Sequence, residues 1–252
     1  MVVAGLFSPF QLHADLARGL DAAAKQDWAT AYREFKEAAD HGNGNAEINL
    51  GNLYMRGLGV QQSYETARTW YERAAMQGNP IAEAKLGVIF YYGLGTEENR
   101  TRAAEWFQKA GDQGDAHSAM TLGEMYLAGE GVPASRAEAY IWYTIAAELG
   151  NQAAEEPRIK LATELSGFEI TTALERVEHW RNAYNIQVEK ANRIASKAAK
   201  PESQPKPATS QPLSAAPKAQ PKETKPKPAP KAKATEKKKK PEGLKKKPDK
   251  KG

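Results

Sequence analysis

The residues of this 252-residue chain best suited by type to chemistry are four histidines, three glycine pairs and many helix carboxylates. His13, His41, His117 and His179 are dispersed, with no His-x-x-x-His pair and no accompanying carboxylate pattern, so zinc-assisted hydrolysis has no ligand set. Gly57-Leu58-Gly59, Gly93-Leu94-Gly95 and Gly129-Glu130-Gly131 are two-glycine turns that follow a helix. A phosphate cradle needs more glycines, placed ahead of a helix, and no Walker sequence exists. No serine stands in a Gly-x-Ser-x-Gly context. Glu97-Glu98 and Glu155-Glu156 bring no partner that would shift a pKa, and they read as solvated helix faces. The chain has no cysteine, which removes thiol nucleophiles, thiolate–zinc sites and disulfides together. The sequon Asn99-Arg100-Thr101 reads as a helix cap. No enzyme, cofactor or metal is therefore expected, and function must come from a surface.

The chain that presents this surface is two polymers joined near Ser196. Residues 197–252 hold 18 lysines, no arginine and five acids, a net of +13, while the preceding body carries −8. The tail also has 11 of the 15 prolines and no aromatic residue, so it cannot bury enough apolar surface to offset its ordering entropy. It is expected to be disordered. No apolar run approaches 18 residues, which excludes an ordinary transmembrane helix. Residues 2–12 are mostly apolar, and Ala14 precedes Asp15 where a signal peptidase prefers a small residue. Residues 1–14 thus read as a truncated signal segment, giving an exported or periplasmic protein, or as a frayed end of a cytoplasmic one.

Within the body, sliding the chain against itself by 36 residues aligns three copies without a gap. Leu50-Gly51, Leu86-Gly87 and Leu122-Gly123 coincide, as do Tyr54, Phe90 and Tyr126. The match continues through Ala67, Ala103 and Ala139, and through Trp70-Tyr71, Trp106-Phe107 and Trp142-Tyr143. It ends on Gly78, Gly114 and Gly150. Each copy predicts two helices, the first over about 46–56 and the second over about 64–77, with Gly57 as a left-handed stop and Ser63, Asn99 and Ser135 as caps. Ala67, Trp70, Tyr71, Ala74 and Ala75 are expected to face inward. The fixed phase of the tryptophans favours core over a base-stacking platform, so Trp106→Ala is expected to cost about 3–5 kcal/mol. An earlier, incomplete copy aligns Phe35 with Tyr71, but its Gly19 lies 12 residues before Ala31, whereas Gly51 lies 16 before Ala67. Its loop is about four residues shorter.

The run Leu-Gly-x-x-Tyr-x-x-Gly-x-Gly-Val at Leu50–Val60 and Leu122–Val132, followed by Ala-x-x-Trp-Tyr and Ala-Ala-x-x-Gly, resembles the Sel-one-like repeat (SLR) family of the tetratricopeptide superfamily. It departs at Thr96, where valine is usual, at Gly111 for alanine, and at Ser63, Asn99 and Ser135 for a capping aspartate. The resemblance implies an all-α fold, a right-handed superhelical solenoid of antiparallel helix pairs, ending here in the disordered tail. The expected divisions are a tetratricopeptide-like first pair at 15–45, repeats at 46–81, 82–117 and 118–152, and capping helices at 153–196. Ala153–Leu165 reads as one cap helix, and Ser166-Gly167-Phe168-Glu169 as the capping box of another with a stripe of Ile170, Ala173, Leu174, Val177, Trp180, Tyr184 and Val188.

In the superfamily the first helix of each unit lines the groove. Removing the repeat-invariant positions leaves Asn52, Met55 and Arg56, then Val88, Tyr91 and Tyr92, then Glu124 and Leu127, a mixture suited to a protein or peptide partner. The tail lysines Lys237, Lys238, Lys239, Lys240, Lys245, Lys246 and Lys247 are candidates for non-specific contact with a polyanion through counterion release.

Overall fold

The computed structural model describes residues 9–198, and side-chain surroundings for 15–193; residues 1–8 and the lysine-rich tail from 199 onward lie outside the described residues. Ten α-helices and no strand occur among the described residues: α1 (Pro9–Ala24), α2 (Trp28–Asp40), α3 (Gly44–Arg56), α4 (Tyr64–Met76), α5 (Pro80–Tyr92), α6 (Arg100–Asp112), α7 (Ala116–Ala128), α8 (Arg136–Glu148), α9 (Glu155–Glu164) and α10 (Gly167–Ala198). Principal contacts join consecutive helices from α1 through α9, whereas α10 packs on α8 and not on its sequence neighbour α9. Four helix pairs thus stack in order, and the pair α8–α10 closes the stack. The result is an all-α solenoid.

Local chemistry sets the helix ends. Ser63, Asn99 and Ser135 accept from the amides of Thr66, Arg102 and Glu138 at 3.1, 2.9 and 3.2 Å, as the sequence predicts. The first helices start two residues earlier than expected, at Gly44, Pro80 and Ala116, because Asn43, Asn79 and Asp115 cap them. The 1–14 boundary likewise falls inside α1, where Pro9 takes the first-turn position that suits its fixed φ. At the cap, a short 3-10 turn over Gln152–Ala154 precedes α9, so Ala153–Leu165 is not one continuous helix. Ser166 and Glu169 form the reciprocal capping box. Of the expected α10 stripe, Ala173 and Val177 are buried, Ile170, Trp180 and Tyr184 half-buried, and Leu174 and Val188 exposed.

Packing between the two helices of a pair depends on one glycine and one ring. A methyl group added at Gly51 or Gly87 would lie 2.5 Å from the ring of Tyr71 or Phe107, and one at Gly123 2.7 Å from Tyr143. Gly19 receives Phe35 in the same way, which carries the shorter first unit into the same scheme. These four rings are buried. The tryptophan beside each ring behaves differently, and here the expectation of a uniform tryptophan core needs correction. Trp142 is buried, but Trp70 and Trp106 are half-buried, because the position next to the ring looks past the helix seam. Cations cover them instead, Arg73 4.6 Å from the Trp70 centroid and Lys109 4.0 Å from that of Trp106.

Three glutamates are buried in the described body, contrary to the solvated role read for helix carboxylates in general. Glu34 pairs with Arg18 at 2.7 Å, Glu47 with Arg73 at 2.9 Å, and Gln77 donates to Glu47 at 2.8 Å. Gln113 donates to Glu83 at 2.6 Å. In the third repeat the same two positions are Ala119 and Leu149, so an apolar pair replaces Glu–Gln as a unit. Arg18 holds the Glu34 carboxyl below its ordinary range, whereas burial pushes Glu47 and Glu83 up.

A raised folded-state pKa means that the native state holds the proton more tightly than the unfolded chain. The Glu83 contribution is therefore complete below the ordinary carboxylate pKa and is lost as pH rises through the raised value. Glu34 acts in the opposite sense. Glu83→Gln keeps the acceptor for Gln113 and removes the titration. Its stability relative to the parent is expected to be higher at pH 7 than at pH 4.5 by urea denaturation, and a pH-independent difference would contradict the assignment.

Candidate interaction groove

A groove of about 360 Å³ runs between α5 and α7, the first helices of two adjacent units, with Phe107 of α6 in its lining. From α5 it takes Ile81, Ala84, Lys85, Val88, Tyr91 and Tyr92; from α7 and its cap, Asp115, His117, Ser118, Thr121 and Glu124. Helix α5 is apolar on both faces, a pattern that ordinarily buries a helix completely. Here one face stays open: Ile81 is 53% exposed, Val88 37% and Tyr92 66%. The corresponding stripe is Asn45, Asn49, Asn52 and Arg56 in α3 and His117, Thr121, Glu124 and Ala128 in α7. Of these three repeats only the middle one presents large apolar residues there; in the first pair, Leu20 of α1, in register with Asn52, is 49% exposed.

The variable positions on the groove helices answer to the ring beneath them. The Tyr71 hydroxyl donates to Asn52 Oδ1 at 2.9 Å. In the next unit the ring is Phe107, without a hydroxyl, and the partner position is Val88, without an acceptor. In the third the ring is Tyr143, pushed up to about 12 by burial and then by the negative charge of Glu124. Asn–Tyr, Val–Phe and Glu–Tyr thus vary as pairs. The groove floor is apolar where both members are.

Tyr91 is held in place by its own chain. Its hydroxyl donates to Glu130 at 2.7 Å, the Arg100 guanidinium lies 4.2 Å from its ring centroid, and Tyr92 and Phe107 meet it edge-on at 5.0 and 6.5 Å. Glu130 also pairs with Arg100, and these donors, Tyr91 first, hold its carboxyl below the ordinary range. Glu124 has no such partner among the described residues; burial, and then Glu130, push it up.

Of the residues singled out from sequence, Val88, Tyr91, Tyr92 and Glu124 meet in this groove. Asn52 is engaged by Tyr71, Met55 is partly buried against the core, Arg56 is exposed at the end of α3, and Leu127 is 44% exposed; none of these four lines the groove. Lys237–Lys240 and Lys245–Lys247 lie outside the described residues. Sequence reasoning missed Ile81, Lys85, His117 and Thr121. The signal was present, since these are variable positions of the same period lying one or two turns earlier on the face that carries Val88 and Glu124. No group of three or more histidines and carboxylates able to hold a metal occurs among the described residues, and no described helix is long and apolar enough to cross a membrane.

A stack of short helix pairs, each contacting its neighbours and presenting first-helix residues on an open groove, defines a helical-repeat solenoid. The Sel1 repeat model matches residues 44–79, 80–115 and 116–151, so the chain carries three Sel1-like repeats. A solved Sel1 repeat protein from Oxalobacter formigenes is 31% identical, with a TM-score of 0.52, over 56% of this chain and 56% of that one. The structure of c5321, a protective antigen present in uropathogenic Escherichia coli strains and displaying an SLR fold, is 25% identical, with a TM-score of 0.57, over 72% of this chain and 38% of that one. The chain therefore matches only about half, or less, of the length of these two relatives. No curated protein matches it. Repeats of this family generally mediate protein–protein interactions.

Proposed function

We propose that this chain is a non-catalytic interaction scaffold that binds a protein partner in the α5–α7 groove. The observation that carries this reading is the open apolar face of α5, with Ile81, Val88 and Tyr92 exposed in a helix whose other face is core. Exposed large apolar side chains clustered on one groove mark an interaction site more often than an idle surface. A second reading adds the basic tail as a tether to nucleic acid or an anionic envelope polymer, supported by its net charge of +13. One experiment separates the two. Partners cross-linked to the full chain in its native cell are expected to be lost on Val88→Asp with Tyr92→Asp, and to survive deletion of 197–252. Salt-sensitive retention on heparin is expected to show the reverse dependence. Cross-linking indifferent to the two groove aspartates would overturn the groove reading, and retention indifferent to the deletion would overturn the tether.

A further inference from the structure

Two features of the groove specify its ligand beyond being a protein. The floor is apolar in this unit, where Phe107 and Val88 replace the hydrogen-bonded Tyr71–Asn52 pair of the unit before it. Beside that floor stands Glu124, a carboxylate with no cation among the described residues and with Glu130 as a like-charged neighbour. Glu130 itself is satisfied by Arg100 and Tyr91, and Lys85, which lines the groove from α5, makes no ion pair with Glu124. An exposed carboxylate without an ion-pair partner at the edge of an apolar floor offers a complementary place for a cation brought by the ligand.

Resting on the groove reading above, we infer that the occupant is a protein segment that sets an apolar side chain on Val88 and Phe107 and an adjacent lysine or arginine against Glu124. The aliphatic stem of such a basic residue adds to the apolar contact while its head reaches the carboxylate. Lys85, one turn back along α5, repels a second cation and confines the basic residue to the Glu124 side. An apolar residue followed by an acid places like charge on Glu124, and a polar residue followed by a base leaves the floor unfilled. Selectivity then comes from repulsion as much as from attraction.

The test uses NMR of the full chain, following the groove resonances during titration with acetylated, amidated Gly-Leu-Lys-Gly, Gly-Leu-Glu-Gly and Gly-Ser-Lys-Gly. The Leu-Lys peptide is expected to bind at least tenfold more tightly than either of the others. Glu124→Gln is expected to erase the preference for Leu-Lys over Leu-Glu. Val88→Asn with Phe107→Tyr rebuilds the Asn52–Tyr71 chemistry that the neighbouring unit already folds with, and it is expected to reduce Leu-Lys binding to the Ser-Lys level. Equal binding of Leu-Lys and Leu-Glu, or a preference that survives Glu124→Gln, would overturn the inference and leave the groove reading standing. Groove resonances that respond to no peptide would overturn both. Shifts that follow protein concentration alone would assign the face to a second copy and overturn the inference as well.

Discussion

Phe107→Ala is expected to lower the unfolding free energy by about 3–5 kcal/mol, the usual cost of truncating a buried aromatic side chain. For a helical body of this size that is a fall in Tm of roughly 10 °C or more. The ring is 4% exposed, packs into the notch left by Gly87 and touches Tyr91. Its removal empties the seam between α5 and α6, and the backbone of two helices cannot close on the gap. In a stacked solenoid the damage also weakens the interfaces to both neighbours. The adjacent Trp106→Ala is expected to cost only about 1–2 kcal/mol, because a half-buried ring under a lysine forfeits less apolar area. Thermal or urea denaturation of the two variants side by side checks the order. Trp106→Ala as costly as Phe107→Ala would mean that the seam has been assigned to the wrong ring.

Gly131→Ala is expected to destabilise the chain by on the order of 3 kcal/mol, from two penalties that add. Its φ is +73°, a left-handed conformation that costs an L-residue about 1–2 kcal/mol. The new methyl group would also collide with the Arg100 carbonyl and lie 2.6 Å from the Thr101 nitrogen, and overpacking adds about 1–3 kcal/mol. Those atoms belong to the first turn of α6, in the preceding unit. The second glycine of each Gly-x-Gly turn is therefore the point where one unit's loop rests on the previous unit's helix start; Gly95 meets Glu65 and Gly59 meets Trp28 in the same way. Gly78→Ala is the control. It shares the left-handed conformation, with φ +75°, but has nothing within 4 Å, so it should lose only about 1 kcal/mol. Equal losses at the two sites would remove the interunit contact from the explanation.

Much of this architecture was legible because a repeat states its own geometry several times. The 36-residue register gave the helix pairs, the left-handed stop at Gly57 and the caps at Ser63, Asn99 and Ser135, all of which depend on residues close in sequence. The four-residue shortening between Gly19 and Ala31 was likewise visible in spacing alone. Less legible was which member of each Trp-aromatic pair is buried, since adjacent helix positions differ by about 100° and the seam's direction is a property of two helices. The buried pairs Glu47–Gln77 and Glu83–Gln113 were missed for a related reason. Their members lie 30 residues apart, and a glutamate on a helix looks solvated until its neighbour is known.

The groove divides in the same way. By itself the sequence determined that the chain is a stack of helix pairs, that the surface must be sought on first helices, and that Val88, Tyr91, Tyr92 and Glu124 are among its variable residues. Periodicity suffices for that, because backbone hydrogen bonding and apolar phase act over a few residues. Only the tertiary structure decided that these four converge, that Asn52 is occupied by Tyr71, and that Glu130 is neutralised while Glu124 is not. Pairing of charges and rings between units is set by through-space distances of a few ångströms across loops and helices, and no local pattern encodes which of two nearby carboxylates receives the arginine.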